Sequence, residues 1–218
     1  MNAFPQCRDA LARRLYKALR TLWLLPFVPL TVLAGHGFMT TFGNIEWLPE
    51  PGRTPDNRWY RADGWEEEGK LWLARSSEAK VLLCLSYTRE KLAELEAMVK
   101  SENPQAARTA WNHYREYSDR ARHIIAQEET AKESLAELLA NALLEHQYIL
   151  SVDYPDLPVS TRAIVLKVAA EAGERYQEVI KLLPAKKKGA LFFKEEEVRW
   201  SLQMAERTDE ETAEGSSQ

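Results

Sequence analysis

Apolar residues recur at helical spacing along most of the chain beyond residue 57, and strand-like alternation is absent. Residues 77–100 show this best, because six positions spaced four and three residues apart form a heptad-like seam: Val81, Leu85, Thr88, Leu92, Leu95 and Val99. A second seam runs through residues 104–150, where we expect one long helix that bends or projects beyond its partners at a polar interval, 127–133. Further helices are predicted at residues 57–75, 161–183 and 190–207.

Turn and cap residues separate these segments. Asn103 can cap a helix and Pro104 fits a first turn, so the pair marks a stop and restart. A loop at 151–158 and a basic turn at 184–189 are also predicted. Helices joined by short turns lie antiparallel. We therefore predict an all-α fold, an elongated antiparallel hairpin or bundle of three to five helices over residues 59–207, followed by a disordered acidic tail at 208–218.

The N-terminal fifth has a different pattern. Residues 22–35 carry no charge and follow five basic residues: Arg8, Arg13, Arg14, Lys17 and Arg20. This arrangement is typical of a segment that enters a membrane with its N-terminus left in the cytoplasm. It predicts a cytoplasmic N-terminus at 1–21, a transmembrane anchor at 22–43, a Pro/Gly-rich linker at 44–58, and an exported bundle in a single-pass protein of a bacterial inner membrane.

A cleaved signal peptide is the alternative to the anchor. Small or compact residues stand where a cleavage site needs them, at Val32-Leu33-Ala34. An anchor needs about 20 mostly apolar residues, and residues 22–42 supply them. The basic region before the apolar segment is also long for a secretory signal, so we favour the anchor.

Four residues of the apolar segment are candidates for close packing inside the membrane: Ala34, Gly35, His36 and Gly37. Small residues let another helix or a flat ring approach the backbone. An imidazole at membrane depth is a candidate functional group, and ligation of a haem or chlorin is one hypothesis for His36. The simpler interpretation is that His36 is hydrated near the outer interface.

Charge and cysteine content narrow the range of functions. Beyond residue 35 the chain has 24 basic and 32 acidic residues, which argues against a nucleic-acid partner. Cys7 and Cys84 would lie on opposite sides of the membrane, so no disulfide within the chain is expected. Cys84 stands in an apolar run, which predicts a buried thiol.

The sequence offers little catalytic chemistry. Nucleotide-binding loops, zinc-protease, CxxC and hydrolase motifs are absent, so we expect no enzyme, no cofactor and no small-molecule substrate. Weak metal candidates are His113, Glu116 and His123. His113 and His123 are ten residues apart, about 15 Å along a helix, and cannot share a metal unaided. Scattered surface histidines are the simpler interpretation.

Four aromatic residues cluster shortly after the predicted anchor: Trp59, Tyr60, Trp65 and Trp72. Tryptophan and tyrosine are favoured both at protein interfaces and at membrane surfaces. Filling of the bundle core is the alternative. The residues do not lie on one stripe, so a single neighbouring helix would not bury them all.

Several short segments carry a resemblance to a known family: Leu48-Pro49, Pro51-Gly52, Pro55-Asp56, Tyr60, Glu78-Ala79-Lys80, Arg89–Glu94, Ala97-Met98, Ala106-Ala107 and Tyr114. Over roughly residues 47–125 the chain resembles an uncharacterised bacterial family of exported, membrane-tethered helical-hairpin domains. The resemblance implies a Pro-Gly-rich linker, an amphipathic helix and a hairpin around a K-L-A-E segment. It implies no catalytic residues.

Two functions are compatible with these patterns. The first is a non-enzymatic, membrane-anchored scaffold or accessory subunit that docks on an integral membrane protein complex through the aromatic cluster. The alternative is a periplasmic sensor or metal-binding bundle that uses His113, Glu116, His123 or His146.

Overall fold

A computed structural model describes residues 41–43, 45 and 47–215, and the side chains of these residues up to 207. This part of the chain is all-α, as predicted, with no strand. Its six α-helices are α1 (Tyr60–Leu73), α2 (Ser77–Lys100), α3 (Pro104–Gln127), α4 (Lys132–Asp153), α5 (Val159–Ile180) and α6 (Ala185–Gly215). None of the helices in the described residues is long and apolar enough to span a membrane. Residues 22–40 of the predicted anchor, with Ala34, Gly35, His36 and Gly37, lie outside the described residues, as does Cys7.

Helices α2 and α3 form an antiparallel hairpin. The Ser76 hydroxyl accepts a hydrogen bond from the Ala79 amide at 3.1 Å and caps α2. The Asn103 side chain accepts one from the Ala106 amide at 3.1 Å, so the predicted stop and restart at this residue is confirmed. Between the helices Glu102 adopts a left-handed conformation, with φ 55°. The predicted seam of α2 is buried except for Leu85, which is half-buried.

The prediction of one long helix over 104–150 is wrong, because α3 ends at Gln127 and a separate helix, α4, begins at Lys132. Glu128 is extended, with ψ 138°, and its carboxylate accepts a hydrogen bond from the Thr130 hydroxyl at 3.1 Å. The polar residues of this interval offer no apolar surface whose burial would favour an uninterrupted helix. Because of this break, the described residues contain six α-helices, where three to five were expected.

A second hairpin, α4 with α5, packs against the first, and α6 covers α4. Its apolar side chains join those of α2 and α3 in a continuous core that includes Leu139, Leu143, Val168 and Tyr176. The loop predicted at 151–158 is shorter than expected, because α4 runs to Asp153 and a 3-10 turn occupies Tyr154–Asp156.

Helix α6 differs from its prediction at both ends. It begins at Ala185, inside the predicted basic turn at 184–189, and continues to Gly215, into the segment for which the sequence predicts disorder. Leu191 and Val198 are buried, whereas Phe192 is exposed.

The predicted linker lies along the bundle rather than apart from it. Ile45 and Leu48 pack against the core. The Arg89 guanidinium donates a hydrogen bond to the Trp47 carbonyl at 3.2 Å, and Arg53 pairs with Asp63 of α1 at 2.5 Å. The linker and α1 are therefore held together on one side of the α2–α3 hairpin.

Candidate docking surface on helix α1

Helix α1 turns its tryptophans outward. Trp59, Trp65 and Trp72 are 58%, 79% and 83% exposed, and only Glu67 and Leu71 of this helix are buried. Core filling by the three tryptophans, one of the two interpretations of the cluster, is therefore wrong.

Two of these tryptophans share one face of the helix. Trp65 and Trp72 are seven residues apart, so their side chains leave α1 in nearly the same direction. Gly69 lies between them on that face, is exposed, and would meet no atom within 4 Å if it carried a Cβ. Trp59 immediately precedes the helix, with the Arg58 guanidinium 5.1 Å from its ring centroid. We call Trp59, Trp65, Gly69 and Trp72 the tryptophan surface.

A buried polar cluster attaches α1 to the hairpin beneath it. The Lys91 ammonium lies 2.8 Å from a carboxylate oxygen of Glu67 and 2.8 Å from one of Glu94. The second oxygen of Glu67 accepts a hydrogen bond from the Tyr117 hydroxyl at 2.5 Å, and that of Glu94 accepts one from the Tyr60 hydroxyl at 2.9 Å. These five side chains, the Lys91 network, come from α1, α2 and α3.

Burial and pairing set the charge states in this network. Burial opposes the charge on Lys91, but its hydrogen bonds to Glu67 and Glu94 and the negative charges of these carboxylates outweigh burial and raise the pKa of the ammonium group. Burial raises the pKa of Glu94, and the nearby Lys91 opposes that shift. Burial, followed by hydrogen bonding to Glu67, raises the pKa of Tyr117 well above its ordinary value. The tyrosines therefore stay neutral donors to the two carboxylates.

The network is suited to holding a helix in place. Each of its carboxylate oxygens receives a donor from within the network, as buried charges require. An ion pair between Glu68 and Arg120 of α3 adds a contact at its edge. Leu71 is the one buried apolar side chain of α1, so polar contacts make up a large part of the attachment of this helix.

A cleft of about 290 Å³ opens beside the network. Its walls combine aromatic rings with charged groups, and Trp65 connects it to the tryptophan surface: Tyr60, Arg61, Gly64, Trp65, Glu67, Glu68, Lys91, His113, Glu116 and Tyr117. The His113 ring meets the Tyr60 ring edge-on, with centroids 5.6 Å apart. The cleft and the tryptophans thus form adjoining parts of one surface.

The candidate metal ligands do not converge. His113 Nδ1 lies 3.6 Å from a Glu116 carboxylate oxygen, whereas His123 Nε2 lies 3.0 Å from the amide nitrogen of Gln127. Among residues 41–43, 45 and 47–215 no group of three or more His, Cys, Asp or Glu side chains is placed to hold a metal ion. His113 and Glu116 together offer two donors.

Two further predicted residues are buried. His146 lies in the core, where its Nδ1 is 3.2 Å from the Tyr114 hydroxyl. Cys84 is inaccessible, as predicted, and burial raises the pKa of its thiol to about 11. A thiol in this state is protonated and unreactive at neutral pH.

Comparison with known proteins gives one match. Residues 52–152 match the family model of a domain of unknown function (DUF5667), and these residues extend from the linker through α4. This match is consistent with an uncharacterised family and carries no information on export or membrane tethering. No curated protein and no solved structure matches the chain.

Some of the residues that carry the resemblance help to attach the linker and α1 to the hairpin. Lys91 and Glu94 are the first and last residues of the K-L-A-E segment, and they form the central ion pair of the network. Tyr60 donates to Glu94, and a Cβ on Gly52 would lie 2.7 Å from a Glu90 carboxylate oxygen. The motif thus corresponds to a structural network.

The sequence pattern does not indicate that Glu67 and Tyr117 are buried partners in this network. Glu67 stands in the run Glu66-Glu67-Glu68, and a run of acidic residues is most simply a solvated face. One signal was available: Glu67 lies four residues before Leu71 and seven after Tyr60, on the same side of the helix as both. Its burial depends on Lys91, which the spacing within α1 does not reveal.

Proposed function

We propose that the chain is a non-enzymatic, membrane-anchored scaffold or accessory subunit that docks onto an integral membrane protein complex through its tryptophan surface. The observation that supports this proposal most is the exposure of Trp65 and Trp72 on a helix fixed by buried ion pairs, and of Trp59 directly before it. Large exposed aromatic residues at defined positions are typical of interface hot spots.

The structure of α1 favours binding to a protein. Trp65 and Trp72 project from one helical face, and Gly69 between them leaves room for a close approach to the backbone. The adjoining cleft supplies charged groups, including Arg61 and Glu116, which suit the polar rim of a protein interface. Attachment of α1 by the Lys91 network keeps this surface in a defined position before a partner binds, which lowers the entropy lost on docking.

Site-specific photo-crosslinking in cells tests this proposal. We expect benzoylphenylalanine at position 65 or 72 of the full-length protein to crosslink to a membrane protein of defined mass. The matched control is the same group at Val159, an apolar residue of α5 that is 71% exposed. Absence of crosslinks at 65 and 72, or an equal yield at 159, would reject docking through this surface.

The alternative proposal is a periplasmic sensor or metal-binding protein. It draws on the 3.6 Å approach of His113 to Glu116. Titration with zinc or copper while following thermal unfolding separates the two proposals. A metal-binding role predicts stabilisation that is lost in His113→Ala/His123→Ala, and an unchanged unfolding temperature at millimolar metal would reject it.

A further inference from the structure

A basic segment surrounds two exposed phenylalanines at the start of α6. Residues 179–194 contain five lysines and no acidic residue, in a chain of net charge −4: Lys181, Lys186, Lys187, Lys188 and Lys194. Phe192 and Phe193 are 52% and 68% exposed, and their rings meet edge-on with centroids 5.6 Å apart. The docking function proposed above makes no use of this segment.

Part of this charge is engaged within the bundle. Lys187 pairs with Glu137 of α4 at 2.9 Å, and Lys194 donates a hydrogen bond to the Asn141 side chain at 2.8 Å. Lys181 and Lys186 are exposed and Lys188 is half-buried. The segment therefore presents positive charge and apolar rings to solvent at the same place.

The path of the chain suggests what covers this surface. Thr41 and Phe42 are among the last residues of the segment predicted to enter the membrane, and both are packed on the bundle. The Phe42 ring is buried and stacks on Tyr148 of α4, with centroids 4.7 Å apart, and both residues also contact α6. The Thr41 amide donates a hydrogen bond to Glu197 at 2.7 Å, and the Lys194 ammonium lies 5.2 Å from the centroid of the Phe42 ring. Phe193 is four residues from Glu197, about 6 Å along the helix. A membrane entered at this point would lie close to the phenylalanines.

We infer that Phe192, Phe193 and the lysines of residues 181–188 form a surface that binds an anionic lipid bilayer. The phenyl rings would enter the boundary between headgroups and acyl chains, and the ammonium groups would face lipid phosphates. This inference rests on the membrane anchor of the proposed function. It does not depend on the tryptophan surface.

An environment-sensitive fluorophore on α6 of the full-length protein tests the inference. Gly189→Cys supplies the site, because Gly189 is exposed, has open space around it, and lies one turn before Phe193. Cys7→Ser removes the other reactive thiol, and Cys84 is buried. The matched control is the same label at Arg108→Cys on α3, another exposed position. The proteins are reconstituted into vesicles of phosphatidylcholine alone, or of equal parts phosphatidylcholine and phosphatidylglycerol.

In the anionic vesicles we expect a blue shift at position 189, with quenching by spin-labelled lipid, and neither effect at 108. Lys186→Ser and Lys188→Ser should each lower the ratio of membrane-bound to unbound α6 surface about fivefold, because each removes one charge that attracts anionic lipid. Phe192→Ser/Phe193→Ser should make the label at 189 as exposed as the one at 108. The inference would be overturned if the labels at 189 and 108 were equally exposed in anionic vesicles while the lysines and phenylalanines are unchanged. Shielding of 189 in native membranes but not in pure lipid would also overturn it, in favour of a protein partner.

Failure of the membrane anchor can be distinguished from failure of the lipid-binding surface. A chain that does not incorporate into vesicles contradicts the membrane anchor of the proposed function. The same labelled protein mixed with preformed anionic vesicles then reports whether α6 binds lipid by itself, and an unchanged spectrum at 189 rejects the lipid surface.

Discussion

Some buried residues of this protein affect its stability in ways that the apolar periodicity of the sequence does not reveal. His146 occupies a seam position of α4 and is inaccessible to solvent, with its Nε2 atom lacking a hydrogen-bond partner. Burial, and to a lesser degree the charge of Arg89, lowers the pKa of His146 to about 3. The folded protein therefore holds this imidazole neutral where an unfolded chain would protonate it.

Stability should fall as the pH drops from about 6.5 towards 3 because of this residue. In that window the unfolded state binds a proton that the folded state excludes, so His146 lowers the unfolding free energy by up to about 1.4 kcal/mol per pH unit. Asp153 acts in the opposite direction, since burial raises the pKa of its carboxyl to about 6. The difference between wild type and His146→Asn in urea unfolding isolates the histidine. Parallel pH profiles for the two proteins would contradict its buried, neutral state.

Gly69 offers a second test at the scale of a residue. Gly69→Ala should stabilise the protein by about 0.5–1 kcal/mol, because alanine favours a helix and nothing lies near the added methyl group. Gly189→Ala in α6 has equally open surroundings and is the matched control. If a partner approaches the α1 backbone between the tryptophans, Gly69→Ala weakens docking although it stabilises the fold, and Gly189→Ala leaves docking unchanged. Equal docking by both variants would exclude that close approach.

At the scale of helices, α1 is attached differently from the others. Helices α2 to α5 bury apolar seams, whereas α1 buries Leu71 and a carboxylate, Glu67. Apolar periodicity thus predicted the inward face of α2, where the driving force is burial of hydrocarbon. It failed for α1, because the inward position of Glu67 depends on a lysine 24 residues further along the chain. It also failed at residues 128–131, where local hydrogen bonds to Glu128 end a helix.

Removal of the central cation should release α1. Lys91→Met leaves Glu67 and Glu94 buried without a counter-ion, a change that costs about 3–5 kcal/mol when the charges stay buried. Detachment of α1 exposes both carboxylates to water, so the loss should fall on this helix. We expect amide exchange over residues 60–73 to approach that of an unfolded segment while α3 to α5 stay protected. Lys70→Met, which breaks an exposed ion pair with Glu66, is the control. Unchanged protection of α1 in Lys91→Met would contradict attachment by the network.

At the scale of the whole molecule, the described residues form a helical bundle with two distinct exposed aromatic surfaces. One is the tryptophan surface of α1, on a helix attached by a network that includes three residues of the family resemblance, Tyr60, Lys91 and Glu94. The other is the basic phenylalanine surface of α6, next to Phe42 near the end of the segment predicted to enter the membrane. All-α architecture followed from helical spacing alone. The exposure of these aromatics did not, since tryptophan and phenylalanine are equally compatible with a core.

Purification of the tagged full-length protein from membranes in mild detergent, with intact mass and identification of co-purifying chains, tests docking most directly. We predict an uncleaved chain with stoichiometric integral membrane partners. Trp65→Ser/Trp72→Ser should lose these partners, since each hot-spot tryptophan contributes about 2 kcal/mol or more. Leu138→Ser/Val159→Ser, which alters exposed apolar residues of α4 and α5, should retain them. A chain shortened by about 35 residues that purifies alone, or partners that survive the loss of both tryptophans, would contradict a membrane-anchored subunit that docks through α1.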